Sequence, residues 1–201
     1  MKTTGSSKGQ KLSEIAQEIE TCEECRAWGS GKAVPGEGNP DAALLFVGEA
    51  PGKEEAKTGR PFVGRSGRLL REMIRGIGLQ EEEVFITSPV KYLPKRGTPT
   101  RENIAHSRSH FLRQLSVIDP SIVVLLGSVA CFAVLGRTVP ITKEHGRIVR
   151  EGGRIFFITY HPAAALRFPE KRRELLQDFR LLKERIEEEE KDISRLPGKA
   201  S

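Results

Sequence analysis

Residues 42–64 read AALLFVGEAPGKEEAKTGRPFVG, and this stretch decides the fold. Its opening, AALLFV, is a continuous apolar run without polar alternation, which is typical of a strand buried on both faces of a parallel sheet. The run ends at Gly48, where a loop rich in glycine and proline begins. That loop also carries carboxylates and a phenylalanine, which a simple connection does not need. We therefore expect a parallel sheet with a functional loop at the carboxyl end of this strand.

Predicted strands and helices alternate along the rest of the chain. Apolar spacing predicts helices over residues 11–21, 66–76, 101–117, 128–135 and 170–190. Because such alternation is typical of α/β proteins, we predict a three-layer α/β/α sandwich around a central, mostly parallel four-stranded sheet.

Three further predicted strands complete that sheet. They cover Val84–Thr87, residues 122–126 and residues 154–159, and the last pairs with residues 147–150 in a hairpin around Glu-Gly-Gly. Residues 22–41 are rich in glycine and proline and indicate an extended loop.

The sequence indicates one folded domain between two tails. Residues 1–10, rich in Gly, Ser, Thr and Lys, indicate a disordered N-terminal tail. Residues 11–190 form the domain, and residues 191–201 form a polar C-terminal tail.

The composition indicates a globular protein and favours an anionic partner. The chain has 201 residues, of which 37% are hydrophobic and 30% charged, as expected of a globular protein that can bury a core. A net charge of +6 and a pI near 9.4 favour an anionic partner, and nucleic acid is the commonest. No apolar run is long enough for a membrane span and no signal peptide is evident, so we expect a cytoplasmic protein without a membrane partner.

The glycine-rich loop does not match the known phosphate-binding motifs. A P-loop needs a Lys-Ser/Thr pair after its glycines, a dinucleotide fingerprint needs GxGxxG, and residues 48–64 contain neither. The loop is instead acidic at its start, with Glu49, Glu54 and Glu55, and these carboxylates would repel a phosphate. Phosphate binding is therefore excluded for this loop.

Loops that follow three predicted strands meet at one sheet edge and indicate a site there. In the first loop Glu49 could orient a water, Pro51 and Gly52 allow close backbone approach, and Phe62 offers a flat stacking face. His161 follows the strand of residues 154–159 and could donate a hydrogen bond to a developing oxyanion. Each residue alone has a structural alternative, such as a core phenylalanine or a structural histidine, but together they predict a ligand site.

These residues also carry a family resemblance. The segment GEAPGKEEAKTGRPFVGRSGRLL (48–70) resembles the first motif of the family 4 uracil-DNA glycosylases, and YHPAAALR (160–167) resembles their His-Pro motif. Intervening segments agree in spacing, including VFITSPVK (84–91) and VVLLGSVA (123–130). The resemblance spans residues 11–186. It implies base excision, in which a deaminated base, uracil first of all, is flipped from DNA and its glycosidic bond is hydrolysed.

The resemblance implies a role for each catalytic residue. Glu49 or Glu55 would orient the attacking water and stabilise the cationic sugar. His161 would stabilise the negative charge that develops on the base oxygen.

It also implies contacts to the base and to the DNA. Phe62 would stack on the flipped base, beside a pocket wall formed by the backbone of Ala50, Pro51 and Gly52. Leu166 would fill the space that the base vacates. Two basic residues would contact phosphates, and these are Lys91 and Arg167.

Ser88 in the base pocket and Ala56 in the network around Glu55 depart from the family pattern. Ser88 stands where family 4 has an asparagine whose amide pairs with the uracil edge. Loss of such a paired contact costs about 1–3 kcal/mol of discrimination. Ala56 stands where an acid often follows Glu55. The preferred base is therefore open, with hypoxanthine and xanthine as alternatives to uracil.

The sequence also leaves more than one cofactor possible. Cys22 and Cys25 form a CxxC pair, which in a reducing compartment indicates a metal, a cluster or a redox pair, unless both are ordinary cysteines near a helix end. The resemblance implies a [4Fe–4S] cluster with four cysteine ligands, but the other two positions are Tyr92 and Ser107. Cys131 is predicted to be a buried core residue.

A zinc site is the alternative to the cluster. His106 and His110 are spaced i, i+4 on a predicted helix and can face the same side. With the two cysteines they would form a Cys2His2 set, which suits Zn²⁺. The third possibility is that no metal binds and the histidines lie on the helix surface.

The sequence thus predicts a monomeric DNA glycosylase that acts on DNA containing a deaminated base. The alternative is a non-catalytic relative that binds damaged or abasic DNA.

Overall fold

The computed structural model describes residues 7–195. Its helices are α1 (Lys8–Thr21), α2 (Glu23–Trp28), α3 (Lys53–Thr58), α4 (Arg65–Gly76), α5 (Arg101–Ile118), α6 (Ser128–Leu135), α7 (Ile141–Glu144), α8 (Pro162–Arg167) and α9 (Pro169–Arg195). Its strands are β1 (Gly29–Ser30), β2 (Glu37–Gly38), β3 (Leu44–Val47), β4 (Val84–Thr87), β5 (Leu93–Pro94), β6 (Ile122–Leu126), β7 (Ile148–Glu151) and β8 (Arg154–Thr159). No helix in this part of the chain is long and apolar enough to cross a membrane.

The central sheet confirms the predicted α/β class. Its strand order is β2-β4-β3-β6-β8-β7, and the four inner strands are parallel. β2 and β7 pair antiparallel at the two edges. In the described chain the sheet therefore has six strands, namely the four expected ones and these two edge strands. The predicted hairpin joins β7 and β8 through Gly152 and Gly153, and both glycines have the positive φ that a tight two-residue turn requires.

Helices cover both faces of the sheet because successive residues of the buried strands point to opposite sides. On one face, Phe46 of β3 stacks on Phe179 of α9, with 6.1 Å between the ring centroids, and α4 packs beside them. On the other face, Leu45 of β3 lies in a cluster with Phe111 of α5. Cys131 of α6 is fully buried in that second cluster, as predicted.

The structure differs from the sequence prediction at the chain ends and in several loops. α1 begins at Lys8, because Ser7 and Gln10 form a capping box there, so residues 8–10 belong to a helix and not to a tail. α9 continues through Arg195. Residues 1–6 and 196–201, which we assigned to the tails, lie outside the described residues.

Four short α-helices lie outside the predicted ones: α2 and α3 in the two glycine-rich loops, and α7 and α8 on either side of the β7–β8 hairpin. α2 interrupts the loop of residues 22–41, and α3 lies within residues 48–64. Both α2 and α3 carry two glutamates in the first turn, where negative charge complements the helix dipole. Helices of four to six residues are too short to show an apolar period, which explains the missed predictions.

Candidate active site

A cleft of about 530 Å³ opens at the carboxyl edge of the parallel strands. Its walls come from the loops after β3, β4 and β8, which are the loops that the sequence singled out. The lining residues are Val34, Glu49, Ala50, Pro51, Gly52, Glu55, Pro61, Phe62, Ser66, Ser88, Leu93, Pro94, Gly97, Thr98, His161, Ala163, Ala164, Arg167 and Phe168. The cleft is within the size range of small-molecule sites.

Glu55 holds the loop of residues 48–64 in shape. Its Oε1 accepts hydrogen bonds from the amides of Val63 (2.8 Å) and Gly64 (2.7 Å), and its Oε2 accepts one from Gly52 (3.1 Å). The side chain is 8% exposed. Because three backbone donors already occupy this carboxylate, it is much less free to orient a water than the sequence suggested.

Glu49 differs from Glu55 because no backbone donor of the described chain occupies its carboxylate. The residue is half-buried in the cleft wall, and its carboxylate has no hydrogen bond or ion pair within residues 7–189, the part of the chain whose side chains are described. Burial raises the pKa of Glu49 above its ordinary value, since no cation compensates for the lost water. An unpartnered carboxylate of this kind is available to a bound water or to a developing positive charge.

Phe62 forms the floor of the cleft in a backbone conformation that is unusual for a non-glycine residue. Its φ is +52°, and its ring lies over Gly48, where a Cβ would stand 2.5 Å from the ring. A Cβ at Gly67 would meet the Phe62 carbonyl at 2.0 Å. The two glycines are therefore needed for Phe62 to reach this position.

His161 faces Phe62 and has a defined tautomer. It caps the N-terminus of α8, where its Nδ1 accepts a hydrogen bond from the Ala163 amide at 3.1 Å. Burial lowers the pKa of His161 to about 4, so the ring is neutral at pH 7. In a neutral ring whose Nδ1 is an acceptor the proton lies on Nε2. That N–H has no protein partner in the described chain, and the Phe62 and His161 centroids are 5.8 Å apart.

Ser88 closes the cleft at the end of β4. It is 4% exposed and its hydroxyl donates to the Val90 carbonyl at 3.1 Å. With its proton committed to the backbone, the hydroxyl oxygen can present only lone pairs to a ligand.

The structure corrects the assignment of Lys91 to a phosphate contact. The side chain is fully buried, and its Nζ donates to Gln114 Oε1 (2.6 Å), Thr87 Oγ1 (2.8 Å) and the Pro35 carbonyl (3.1 Å). Burial also lowers the pKa of Lys91 to about 7. An ammonium group enclosed in this way cannot reach DNA; it joins β4 to α5 and to the loop before β2.

The rim of the cleft carries the remaining predicted residues. Arg167 at the end of α8 is exposed and lines the cleft, while Leu166 beside it is 38% exposed. Phe168, which the sequence analysis missed, is 52% exposed and also lines the cleft. The signal was available, because an aromatic residue directly follows the His-Pro segment.

The residues predicted to bind a metal lie together, away from the cleft lining. One ligand atom from each of Cys22, Cys25, His106 and His110 lies within 4.8 Å of every other, so this group could hold a metal ion. The distance between Cys22 Sγ and His106 Nε2 is 3.2 Å. Burial raises the pKa of the Cys25 thiol to about 11 and lowers the pKa of His110.

Comparisons with known proteins identify the relatives of this chain. A family model described as the uracil DNA glycosylase superfamily matches residues 35–181. A type-4 uracil-DNA glycosylase of Sulfurisphaera tokodaii is 42% identical over 184 residues, which cover 86% of this chain and 84% of that protein. A type-4 enzyme of Thermotoga maritima is 41% identical over 187 residues, or 90% and 97% of the two chains. A type-5 uracil-DNA glycosylase of Pyrobaculum aerophilum is 32% identical over 151 residues, or 66% of each chain.

Proposed function

This chain belongs to the uracil DNA glycosylase superfamily, and we propose on that basis that it removes uracil from DNA by hydrolysing the N-glycosidic bond. The observation that carries the proposal is the pairing, in one cleft, of an unpartnered carboxylate at Glu49 with a neutral Nε2–H donor at His161. Hydrolysis of this bond creates positive charge on the sugar and negative charge on the departing base. The two side chains match those two charges.

The reaction begins when the uracil nucleotide is flipped out of the duplex. Flipping costs a few kcal/mol of stacking and pairing, and it costs least at a mismatch such as one left by deamination. Stacking of the base on Phe62 offsets part of this cost, at about 1–3 kcal/mol for a base on an aromatic ring. The strained but fixed position of Phe62 keeps that ring in place before the base arrives.

Bond cleavage leaves the bonding electron pair on the base and an oxocarbenium-like sugar. The Nε2–H of His161 donates to the base oxygen on which the negative charge develops. Because the ring is neutral, it stabilises this oxygen by a hydrogen bond and does not need to transfer a proton. One such donor contributes about 2.7–4 kcal/mol to transition-state stabilisation in enzymes that use an oxyanion hole.

Glu49 acts on the sugar side. Its carboxylate stabilises the cationic sugar and orients a water, whose oxygen bonds to the anomeric carbon. The water loses one proton to the carboxylate, which then releases it to solvent, and the uracil anion takes one proton from solvent, giving free uracil and an abasic site. Glu55 is a positioning residue in this scheme, since its hydrogen bonds hold the Gly52 and Val63 segments that shape the pocket.

Ser88 supports a second candidate, the removal of other deaminated bases. The hydroxyl donates to Val90, so its oxygen offers only an acceptor to a base. Uracil, hypoxanthine and xanthine all present a ring N–H to such an acceptor. A side-chain amide would in addition select the neighbouring oxygen, and this chain has none at position 88.

The test is a panel of duplexes that each contain one modified base, followed by alkali to cleave abasic sites. We expect scission at uracil, and loss of scission in the Glu49→Ala plus His161→Ala double variant. Scission only at hypoxanthine or xanthine would favour the second candidate. Tight binding without scission on any duplex would contradict glycosylase function, and scission that persists in the double variant would refute the site assignment.

A further inference from the structure

A cluster of cysteine and histidine side chains joins α2 to α5, outside the catalytic cleft. We propose that Cys22, Cys25, His106 and His110 bind one Zn²⁺ ion in tetrahedral coordination. This inference does not depend on the proposed glycosylase activity, because none of the four residues lines the cleft.

The backbone brings the ligands together from two elements. Cys22 is the N-cap residue of α2 and Cys25 lies within that helix, so both thiols leave the same short segment. His106 and His110 are separated by one turn of α5 and share one face of it. α2 and α5 are in contact, which places the two pairs opposite each other.

The distances suit a small tetrahedral ion. With Zn–S near 2.3 Å and Zn–N near 2.0–2.1 Å, adjacent ligand atoms of a tetrahedral site lie roughly 3.3–3.8 Å apart. Cys22 Sγ and His106 Nε2 are already 3.2 Å apart, and no pair of ligand atoms exceeds 4.8 Å. Side-chain shifts of about 1 Å would complete the coordination sphere.

The surroundings of the two histidines fit a zinc site. His106 presents Nε2 to Cys22, while its Nδ1 lies 2.8 Å from the Glu24 carboxylate. A carboxylate in that position fixes the ring and its tautomer, and it commonly accompanies zinc-bound histidine. The Nδ1 of His110 is buried without a hydrogen-bond partner among the described residues. Buried polar atoms of this kind are rare, and coordination within the cluster would account for a buried, unpaired imidazole.

The iron–sulfur cluster implied by family resemblance does not fit this donor set. Two of its four cysteine positions are Tyr92 and Ser107. The Tyr92 hydroxyl donates to the Ile19 and Glu20 carbonyls at 3.2 and 3.1 Å, and the Ser107 hydroxyl lies 3.6 Å from Cys25 Sγ. Cluster iron requires mainly thiolate ligands, and only two are present here. A Cys2His2 set is instead a standard zinc donor set.

The ion would crosslink α2 and α5 near the cleft. Cys25 and Ser107 border a small cavity together with Tyr92 and Pro94, and Pro94 also lines the catalytic cleft. Zinc would therefore fix the packing of α2 against α5 behind one cleft wall. We expect metal loss to lower the melting temperature more than it alters the chemical step.

Elemental analysis of the full chain, expressed with both iron and zinc available, tests the proposal. The expected result is about one zinc atom per chain, in the proportion typical of a mononuclear structural site, with iron and acid-labile sulfide near background. Iron and sulfide in cluster proportions would overturn it. A folded protein that contains neither metal, and that takes up no Zn²⁺ when titrated, would overturn it as well.

Cobalt substitution then identifies the ligands. Co²⁺ in place of Zn²⁺ should give the intense visible bands of a tetrahedral thiolate site. His110→Ala should weaken Co²⁺ binding by about tenfold or more, and Cys25→Ser should weaken the thiolate bands and leave those of Cys22. Cys131→Ala is the matched control, because Cys131 is buried in another cluster, and it should leave the bands unchanged. If Cys25→Ser fails to fold, the His110→Ala titration decides, and unchanged Co²⁺ affinity there would contradict the assignment.

Discussion

Glu49 and Glu55 belong to the same loop but lie in opposite environments. Glu55 accepts three backbone hydrogen bonds, whereas Glu49 has no hydrogen-bond or ion-pair partner within residues 7–189. Burial therefore acts on Glu49 without compensation and raises its pKa. The pair shows how identical side chains acquire different roles from their surroundings.

The pH dependence of activity should follow the ionisation of the Glu49 carboxyl group. Because the reaction needs its carboxylate ionised and its pKa lies above the usual 4.5, kcat/KM should fall as pH drops through a value above 4.5. His161 becomes charged only near its pKa of about 4, so it should not set this limb. Glu49→Gln should reduce kcat about 10²-fold or more and remove the limb, in assays between about pH 4 and pH 8.

The free energy of unfolding should also distinguish the two glutamates. A carboxyl group whose folded-state pKa is raised opposes folding once it ionises, so Glu49→Gln should not lower the free energy of unfolding at pH 7. Glu55→Gln should lower it by about 1–3 kcal/mol, because the amide turns a donor toward the Gly52 N–H. Equal destabilisation by both variants, measured by urea unfolding, would contradict these assignments.

Ser88 should set the choice of base. Ser88→Asn introduces an amide that can pair with both the ring N–H and the adjacent oxygen of uracil. We expect kcat/KM for uracil relative to hypoxanthine to rise by about 5- to 150-fold, which corresponds to about 1–3 kcal/mol. Competition between the two substrates in one reaction measures this ratio directly. An unchanged ratio would show that position 88 does not read the base edge.

At the scale of single elements, α8 carries a capping histidine at its start and, at its end, residues predicted to contact DNA. His161 caps the start of the helix, and Leu166 and Arg167 lie at its end beside the exposed ring of Phe168. The helix has only six residues, so it holds the His161 imidazole at a short, fixed distance from the rim. This arrangement would fix the proposed wedge, Leu166, relative to the proposed donor, His161.

Leu166→Ala should impair the enzyme on duplex DNA only. A wedge stabilises the flipped state by replacing the base within the stack, and single-stranded DNA has no such stack to repair. We expect kcat/KM for uracil in a duplex to fall about tenfold, a loss of about 1.4 kcal/mol, with little change on single strands. Leu176→Ala, at a comparably exposed leucine of α9, is the control and should change neither rate.

Elements with a clear apolar signature were predictable from the sequence, and short ones were not. The runs that became β3, β4 and β6 lack polar alternation, and the structure buries every residue in them. α2 and α3 depend on capping and on their surroundings, which no periodicity reveals. Lys91 was misplaced for a related reason: lysine is rarely buried, and only the fold shows that Gln114, Thr87 and Pro35 surround it.

The molecule as a whole is basic, and its net charge of +6 fits an enzyme that acts on DNA. What the sequence could not show is which cations reach the surface near the cleft. Arg167 does so, whereas Lys91 is part of the core. The clustering of motif residues in one cleft was predictable where they follow buried strands, because the carboxyl ends of parallel strands lie at one edge of the sheet.

The salt dependence of DNA binding should separate these two cations. If Arg167 makes the predicted phosphate contact, Arg167→Ala should decrease the slope of log K against log salt by about 0.9. Lys91→Met removes a buried charge and should leave the slope unchanged, even if it alters stability. Fluorescence anisotropy with a uracil-containing duplex at several salt concentrations measures both slopes. A smaller slope for Lys91→Met would contradict the burial of this side chain.

The most direct test of the account compares two substitutions of His161 by single-turnover uracil release. His161→Asn keeps an acceptor for the Ala163 amide and removes the Nε2–H, while His161→Gln places an amide N–H near the Nε2 position. We expect the Asn variant to keep a wild-type melting temperature and lose about 10²–10³-fold in rate, and the Gln variant to retain more of the rate. A folded Asn variant that releases uracil at the wild-type rate would contradict the central claim.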